Sequence, residues 1–373
     1  MSKPIFVTQP YLPPIEEYLP YLEKIWQNKI LTNAGPFHEE LEDALCKHLG
    51  VKHISLFGNG TIALMVAIKA LELEGEIITT PYSFVASSHA IAWNHIRPVF
   101  VDVDPLTCNI NPRKIEEAIS SRTTAILPVH VYGNPCDVTQ IDSIAREHGI
   151  KVIYDAAHAM GVKLDNNSVL NFGDLSVLSF HATKVFNTFE GGAIVCQSAE
   201  MKKKIDDLKN FGFQSEISVQ GIGINGKMNE MQASMGLIQL KYLKKVIYQR
   251  GLIAQDYRKA LSNIPGLRYQ YENQGLEQNY SYFPIFISEK EFGKSRDDLY
   301  EYLQGGDVFS RRYFYPLISE FDAYMDDSIG SRGKFPVAYQ LSREVICLPI
   351  YPDLTFADVS RVVDLIRRFR SGL

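Results

Sequence analysis

Short apolar runs alternate with longer amphipathic stretches in the first half of this chain. The strand-like runs are 54–57, 76–79, 98–101, 125–128, 152–154, 175–180 and 193–196. Stretches with helical spacing, such as 61–73 and 138–148, separate several of these runs. Alternation of this kind predicts an α/β fold with a mainly parallel sheet covered by helices on both faces. Ligands of such sheets bind at the carboxyl ends of the strands.

The pattern changes in the second half of the chain. Residues 228–264 predict one long helix, which ends before Pro265 and Gly266. Later elements are predicted at 282–287 (strand), 296–304 (helix), 345–348 (strand) and from Phe356 onwards (helix). We therefore predict a large domain at 1–245, which includes the N-terminal segment, and a small C-terminal α+β domain at 246–373.

Composition excludes several classes of protein. The net charge of −5 over 373 residues gives no basic surface for nucleic acid or anionic lipid. The chain has no apolar run of about 18 residues, so no membrane span is predicted. The N-terminus lacks the pattern of a secretory signal. The five cysteines are widely spaced and odd in number, which predicts reduced thiols, no metal site and a cytoplasmic protein.

Polar side chains follow two of the predicted strands. Asp155 and His158 come after the run at 152–154, and Lys184 comes shortly after the run at 175–180. A lysine and an acid at neighbouring strand ends can hold pyridoxal phosphate, because the amine forms a Schiff base and the acid pairs with the pyridinium nitrogen. A single lysine is more often a solvated surface amine, so the other motifs must decide between the two interpretations.

Two further motifs each allow a functional and a structural interpretation. The turn Gly58-Asn59-Gly60-Thr61 joins a strand to a helix, where backbone N–H groups could bind a phosphate. Taken alone, such a sequence is more often an ordinary turn with Thr61 as the helix cap. Phe84 follows the run at 76–79 and could stack on a flat ring or belong to the core.

Glycines 221, 223 and 226 match the dinucleotide-binding pattern G-x-G-x-x-G. The preceding residues 213–220 are polar rather than a buried strand, and no acid follows at the spacing that ribose binding needs. A nicotinamide-dependent dehydrogenase is therefore a weak alternative. We predict instead a loop that leads into the long helix, with Asn225 able to reach a ligand on a neighbouring subunit.

Taken in order, these segments resemble the sugar aminotransferases of the DegT/DnrJ/EryC1/StrS family, and the resemblance covers essentially the whole chain. It implies the fold-type I class of pyridoxal phosphate enzymes. The matching segments are Leu31-Thr32-Asn33-x-Gly35-Pro36, Asn59-Gly60-Thr61-x-Ala63-Leu64, Ser83-Phe84-Val85-Ala86, Asp155-Ala156-Ala157-His158-Ala159, Ser179-Phe180-His181-Ala182-Thr183-Lys184, Glu190-Gly191-Gly192-Ala193 and Asn225-x-Lys227-Met228.

The resemblance implies a role for each side chain around the cofactor ring. Lys184 would be the Schiff-base lysine and the proton shuttle, and Asp155 would be the partner of the pyridinium nitrogen. Phe84 and Ala157 would lie on the two faces of the ring, with His158 near its phenolic oxygen. An intact Lys184 is expected of an aminotransferase rather than of the family members that are dehydratases.

The resemblance also implies how the cofactor phosphate is held. Gly60, Thr61 and Ser179 would bind it within one subunit. Asn225 would reach the same phosphate from the second subunit, which implies a homodimer with shared active sites.

Residues 181–184, followed by 190–193, resemble family members that aminate C4 of the sugar. The likeness implies transfer from L-glutamate to a dTDP-linked keto sugar, dTDP-4-keto-6-deoxy-D-glucose, for surface polysaccharide. A C3 aminotransferase and a non-catalytic regulatory protein are the alternatives. Candidate contacts to the nucleotide-sugar are His181, Arg312, Tyr313 and Tyr315, although residues 311–316 could instead form a basic, aromatic surface loop.

Overall fold

The computed structural model describes residues 3–271, 274–325 and 333–372. The α-helices are α1 (Ile15–Asn28), α2 (Pro36–Leu49), α3 (Gly60–Ala70), α4 (Ala86–Trp93), α5 (Pro112–Ala118), α6 (Val138–His148), α7 (Ala199–Lys209), α8 (Glu230–Leu261), α9 (Glu289–Phe292), α10 (Arg296–Gly305), α11 (Pro336–Glu344) and α12 (Phe356–Ser371). The strands are β1 (Ile5–Phe6), β2 (His53–Phe57), β3 (Glu76–Thr79), β4 (Arg97–Phe100), β5 (Thr123–Leu127), β6 (Lys151–Asp155), β7 (Lys163–Leu164), β8 (Asn167–Ser168), β9 (Leu175–Ser179), β10 (Gly192–Cys196), β11 (Phe213–Ser215), β12 (Ser218–Val219), β13 (Leu267–Tyr269), β14 (Leu276–Glu277), β15 (Phe283–Ile287), β16 (Val308–Phe309) and β17 (Val345–Leu348).

A seven-stranded sheet with the order β2-β10-β9-β6-β5-β3-β4 forms the centre of the fold. The strands from β9 to β4 pair in parallel, whereas β10 runs antiparallel to both β9 and β2. Each strand predicted between residues 54 and 196 lies in this sheet. The prediction of a mainly parallel α/β fold is therefore confirmed.

Both faces of the sheet are covered by helices. Ile194 packs in a core with residues of α3 and α7, whereas its neighbour Val195 packs with residues of α2 and α8. Successive side chains of a strand point to opposite faces, so this division follows directly from the two-residue period. Burial on both sides explains why the strands read as continuous apolar runs in the sequence.

A second sheet, with the order β13-β15-β17, is antiparallel and packs against α8, α10 and α12. The elements predicted at 282–287, 296–304, 345–348 and from Phe356 correspond to β15, α10, β17 and α12. The long helix α8 packs against both sheets. Its residue Val246 belongs to the core beside the seven-stranded sheet, and Tyr257 belongs to the core beside the three-stranded sheet. The division at residues 245 and 246 falls inside this helix and stays a prediction.

Residues 221–226 form a loop before α8, as the sequence indicated. The backbone N–H of Ile224 donates to the carbonyl of Leu208 at 2.9 Å, and that of Gly226 donates to Lys209 at 2.8 Å. The loop is thus tied to the end of α7 and follows the exposed strands β11 and β12. A dinucleotide site needs a buried strand before its glycines, so the structure gives that alternative no support.

Candidate active site

A cavity of about 270 Å³ opens at the carboxyl ends of the parallel strands. Residues from the turns after β2, β3, β5, β6 and β9 line it. The predicted site residues among the lining are Gly60, Thr61, Phe84, Asp155, Ala157, His158, Ser179, His181, Lys184 and Tyr313. Residues far apart in the chain meet here because parallel strands place their carboxyl ends at one edge of the sheet.

Three predicted residues do not line this cavity. Asn225 is exposed on the loop before α8. The guanidinium of Arg312 bonds to Asp297 at 2.7 Å and lies 4.9 Å from the ring centre of Tyr315. Arg312 and Tyr315 therefore belong to a neighbouring cation–π cluster, and their predicted contact with a nucleotide-sugar stays a prediction.

Asp155 is the last residue of β6 and is buried, with 5% of its surface exposed. Its carboxylate accepts hydrogen bonds from the hydroxyl of Ser87 at 2.7 Å and from the backbone N–H of Ala157 at 3.1 Å. Burial raises the pKa of Asp155, while both hydrogen bonds and the nearby Lys184 oppose that rise. Two fixed donors thus keep the carboxylate oriented at the cavity floor.

Ser87 was not predicted from the sequence, and it suggests a test. Without its hydroxyl the Asp155 carboxylate loses a donor, so its pKa rises further and its hold on a cationic ring nitrogen weakens. We expect Ser87→Ala to weaken pyridoxal phosphate binding about fivefold, measured by spectrophotometric titration. Ser88→Ala is the matched control, because the Ser88 hydroxyl donates to the carbonyl of Val85 instead. Equal affinities in the two variants would contradict this role for Ser87.

Lys184 lies beyond the end of β9, and its side chain is partly buried in the cavity. Its Nζ donates a hydrogen bond to the hydroxyl of Tyr282 at 3.3 Å. Desolvation lowers the pKa of Lys184 to about 8, and the negative charge of Asp155 limits that fall. An amine with this pKa is uncharged, and therefore nucleophilic, in a substantial fraction of molecules near neutral pH.

His158 is buried beside Lys184 and is held in one tautomer. Its Nδ1 accepts a hydrogen bond from the backbone N–H of Tyr132 at 3.2 Å, so the neutral ring carries its proton on Nε2. Burial, together with the positive charge of Lys184, lowers the pKa of His158 well below its ordinary value. The ring stacks on Phe314 with centroids 6.0 Å apart. His158 is therefore an uncharged hydrogen-bond donor in this site.

The turn at residues 58–61 has the backbone arrangement that is typical of a phosphate-binding turn. Asn59 is the N-cap of α3, and its side chain accepts the backbone N–H of Ile62 at 2.9 Å. The alternative that made Thr61 the cap is therefore wrong, and Thr61 is exposed at the cavity instead. A Cβ added to Gly60 would lie 3.1 Å from that of Ser179, so the turn and the end of β9 approach closely. The helix N-terminus favours an anion here.

Aromatic side chains shape the walls of the cavity. Phe84 is 61% exposed although it is a large apolar residue, so one face of its ring is free to stack on a ligand. Tyr282 and Phe314 come from the second half of the chain and were not predicted. Neither follows a strand of the large sheet, so a search for polar residues at strand ends does not find them.

His181 and Glu190 lie together at the cavity. The Nδ1 of His181 accepts the backbone N–H of Thr183 at 3.2 Å, which leaves Nε2 facing the Glu190 carboxylate at 3.5 Å. Both side chains are about half exposed. Both residues line the cavity, and Glu190 was not among the predicted contacts.

Pyridoxal phosphate fits this set of residues. The cavity offers a lysine amine with a lowered pKa, a buried carboxylate, an exposed aromatic face and a helix N-terminus. Within residues 3–271, 274–325 and 333–372, no cluster of three or more His, Cys, Asp or Glu could hold a metal ion. In the same ranges, no helix is long and apolar enough to span a bilayer.

A mainly parallel sheet with a lysine and a buried acid at its carboxyl edge is typical of enzymes that act through a lysine-bound cofactor. The sequence profile of the DegT/DnrJ/EryC1/StrS aminotransferase family matches residues 14–367. This chain belongs to that family, which confirms the resemblance stated above.

Individual relatives agree with this assignment. The chain is 53% identical over 370 residues to the dTDP-4-amino-4,6-dideoxy-D-glucose transaminase of Shigella dysenteriae, covering 99% of this chain and 100% of the relative. The structure of DesI in the presence of its TDP-sugar product matches with a TM-score of 0.95 and 33% identity, over 100% of this chain and 94% of that one. NtdA from Bacillus subtilis with bound cofactor PMP matches with a TM-score of 0.87 and 28% identity, over 96% and 82% of the two chains.

Proposed function

We propose that this enzyme moves the amino group of L-glutamate to C4 of dTDP-4-keto-6-deoxy-D-glucose and forms dTDP-4-amino-4,6-dideoxy-D-glucose. The observation that carries the proposal is the placement of the Lys184 amine in the cavity beside Asp155 and His158. The 53% identity to the Shigella transaminase supports the choice of this sugar as the substrate. We further propose that the reaction takes place in the cytoplasm and serves surface polysaccharide synthesis.

The geometry of the cavity supports a role for several residues in binding the cofactor. Lys184 would bond to pyridoxal phosphate, and Asp155 would keep its ring nitrogen protonated. When bound, pyridoxal phosphate supplies an electron sink, which allows the α-carbon of the amino donor to lose a proton. The Nζ of Lys184 takes that proton as a general base, and its pKa of about 8 makes the neutral amine available.

Other side chains orient and bind rather than transfer protons. His158 presents its Nε2 proton as a hydrogen-bond donor, and its low pKa keeps it neutral during the reaction. The exposed ring of Phe84 and the small side chain of Ala157 are proposed to lie against the cofactor ring. Gly60 and Ser179 would hold the phosphate at the N-terminus of α3, together with Thr61.

The substrate contacts divide into two groups. His181 and Tyr313 line the cavity and are proposed to bind the sugar. Arg312 and Tyr315 lie in the adjacent cluster with Asp297, so we propose that they reach the nucleotide diphosphate only at the outer end of the substrate. The two groups suit a substrate that extends from the cavity floor to the surface.

We also propose that the enzyme is a homodimer with shared active sites. The segment formed by β11, β12 and the loop after them exposes several large apolar side chains to solvent, which is energetically unfavourable. Their exposed fractions are 42% for Phe213, 98% for Ile217, 58% for Val219 and 86% for Ile222. An apolar surface of this kind favours a protein partner, and Asn225 is exposed on the same loop, three residues after Ile222.

Subunit complementation tests the shared site. If Asn225 serves the partner's cavity, Lys184→Ala and Asn225→Asp fall in the same site of a mixed dimer and leave its other site intact. Refolding the two weak variants together should then restore up to about a quarter of the wild-type activity, since half of the dimers are mixed and each keeps one intact site. Activity no higher than the sum of the separate variants would contradict the shared site.

A substrate panel tests the reaction itself. The enzyme would be assayed with L-glutamate and a set of dTDP-, UDP- and GDP-linked 4-keto and 3-keto sugars, with kcat/KM measured for each. We expect dTDP-4-keto-6-deoxy-D-glucose to exceed the 3-keto sugars by at least about 10²-fold. Preference for a 3-keto sugar would overturn the C4 proposal, and bound cofactor without turnover on any sugar would favour the regulatory alternative.

A further inference from the structure

The hydroxyl of Tyr282 accepts a hydrogen bond from the Lys184 amine. The Nζ lies 3.3 Å from this oxygen and 5.8 Å from the centre of the tyrosine ring. The carboxylate of Asp155, which also attracts the amine, already accepts hydrogen bonds from Ser87 and Ala157. The position of the amine therefore depends on a tyrosine that lies 98 residues further along the chain.

The ring of Tyr282 is itself fixed by neighbouring aromatic side chains. It meets the His158 ring edge-on with centroids 4.8 Å apart, and it contacts Tyr132 at 5.7 Å and Tyr313 at 5.6 Å. Such edge-to-face contacts restrict ring rotation as well as burying apolar surface. The hydroxyl is thus held at one point in the cavity wall.

The backbone that carries Tyr282 is anchored on two sides. The hydroxyl of Ser281 and the side chain of Asn279 donate to the carbonyl of His158 at 2.9 and 2.8 Å. From α8, the buried guanidinium of Arg250 donates to the carbonyl of Tyr280 at 3.2 Å. A site built on fixed elements holds its groups more accurately than one on a free loop.

We infer that Tyr282 is a positioning residue whose hydroxyl holds the Lys184 amine in place while that amine is not bonded to the cofactor. This inference rests on the function proposed above, in which the lysine must be released and still transfer a proton. A lysine side chain has four rotatable bonds, so an unheld amine would spend much of its time in unproductive positions.

The phenol is suited to this task because it stays uncharged. Desolvation raises the pKa of Tyr282, while the positive charge of Arg250 opposes the rise. A neutral phenol oxygen accepts a hydrogen bond from the amine form and a stronger one from the ammonium form. It therefore orients Lys184 without locking it into the charged state, as a carboxylate at the same position would do.

Tyr282→Phe removes the hydroxyl and keeps the ring contacts. The matched control is Tyr257→Phe, because the hydroxyl of this buried tyrosine has no hydrogen-bond partner among the described residues. Full-length proteins would be loaded with pyridoxamine 5′-phosphate, which leaves Lys184 free. The pH dependence of Lys184 acetylation by acetic anhydride would then be followed by peptide mass spectrometry.

We expect the midpoint of Lys184 labelling to move about one pH unit lower in Tyr282→Phe, because the ammonium form loses its acceptor. The rate constant of the half-reaction with L-glutamate should fall about tenfold, with KM for the keto sugar unchanged. An unchanged labelling midpoint and half-reaction would overturn the inference. So would a raised KM for the sugar with kcat unchanged, which would make Tyr282 a substrate contact.

Two further measurements distinguish a failure of this inference from a folding defect of the variant and from a failure of the proposed function. If Tyr282→Phe folds poorly, Tyr282→4-fluorophenylalanine fills nearly the same volume with a weak acceptor, and the same shift is expected. If the wild-type protein aminates no keto sugar, the proposed function fails. The labelling midpoints still decide the role of Tyr282, since they do not require turnover.

Discussion

Replacing Lys184 with alanine should lower the rate of amino transfer by at least about 10³-fold, since both the covalent link to the cofactor and the proton-transferring amine are lost. The cofactor can still bind through the remaining contacts of the cavity. Borohydride should therefore attach pyridoxal phosphate to the wild-type peptide that contains Lys184 and should attach none to the corresponding peptide of the variant. Steady-state rates and peptide mass spectrometry measure the two effects.

The control for this variant is Lys203→Ala. Lys203 lies on α7, pairs with Asp207 at the surface and is not among the residues that line the cavity. It should keep the wild-type rate, because an exposed ion pair contributes little to stability. A Lys184→Ala enzyme within tenfold of the wild-type rate would show that another group carries the reaction.

Asp155→Asn should lower kcat by at least about 10²-fold, although the side chain keeps its size. The amide has no negative charge to keep the cofactor's ring nitrogen protonated. The same change removes the charge that raises the pKa of Lys184, so the free amine of the variant should titrate below its wild-type pKa of about 8. Transient kinetics with L-glutamate and the absorbance spectrum of the bound cofactor measure these effects.

Asp174→Asn separates the role of this charge from general damage to the sheet. Asp174 precedes β9 at the amino end of that strand, whereas the cavity lies at the carboxyl end. Its carboxylate contacts Lys151 at 2.9 Å. We expect this variant to retain wild-type kcat. If Asp155→Asn were equally active, the carboxylate would have no part in the reaction and the account of the cavity would be wrong.

The central sheet was predictable because most of its strands are buried on both faces. Burial on both faces makes the strand an unbroken apolar run, as in residues 193–196, which local sequence reveals. The sequence did not reveal whether neighbouring strands pair in parallel or antiparallel. The strand β10 is antiparallel to β9, since only residues 180–191 separate the two and no helix crosses back over the sheet.

The site was predictable where its residues lie at the carboxyl end of a strand or shortly after it. Asp155 and Lys184 belong to this group. Ser87 and Tyr282 do not, because their roles arise from contacts across 68 and 98 residues of sequence. Nothing in the local pattern around either residue distinguishes it from an ordinary core or helix position.

The partners of Arg312 were not predictable from the sequence. Its predicted contact with a diphosphate stays a prediction, and the folded chain adds a bond from its guanidinium to Asp297 and a position over the ring of Tyr300. Sequence spacing does not reveal such a partner, since Asp297 lies fifteen residues earlier on another element.

Isotope transfer tests the central claim most directly. The enzyme would be incubated with ¹⁵N-labelled L-glutamate and dTDP-4-keto-6-deoxy-D-glucose, and the product sugar examined by NMR. The account predicts ¹⁵N bonded to C4 of a dTDP-4-amino-4,6-dideoxy-D-glucose product, with equimolar 2-oxoglutarate. Label at C3, or no labelled sugar from an enzyme whose Lys184 carries the cofactor, would contradict it.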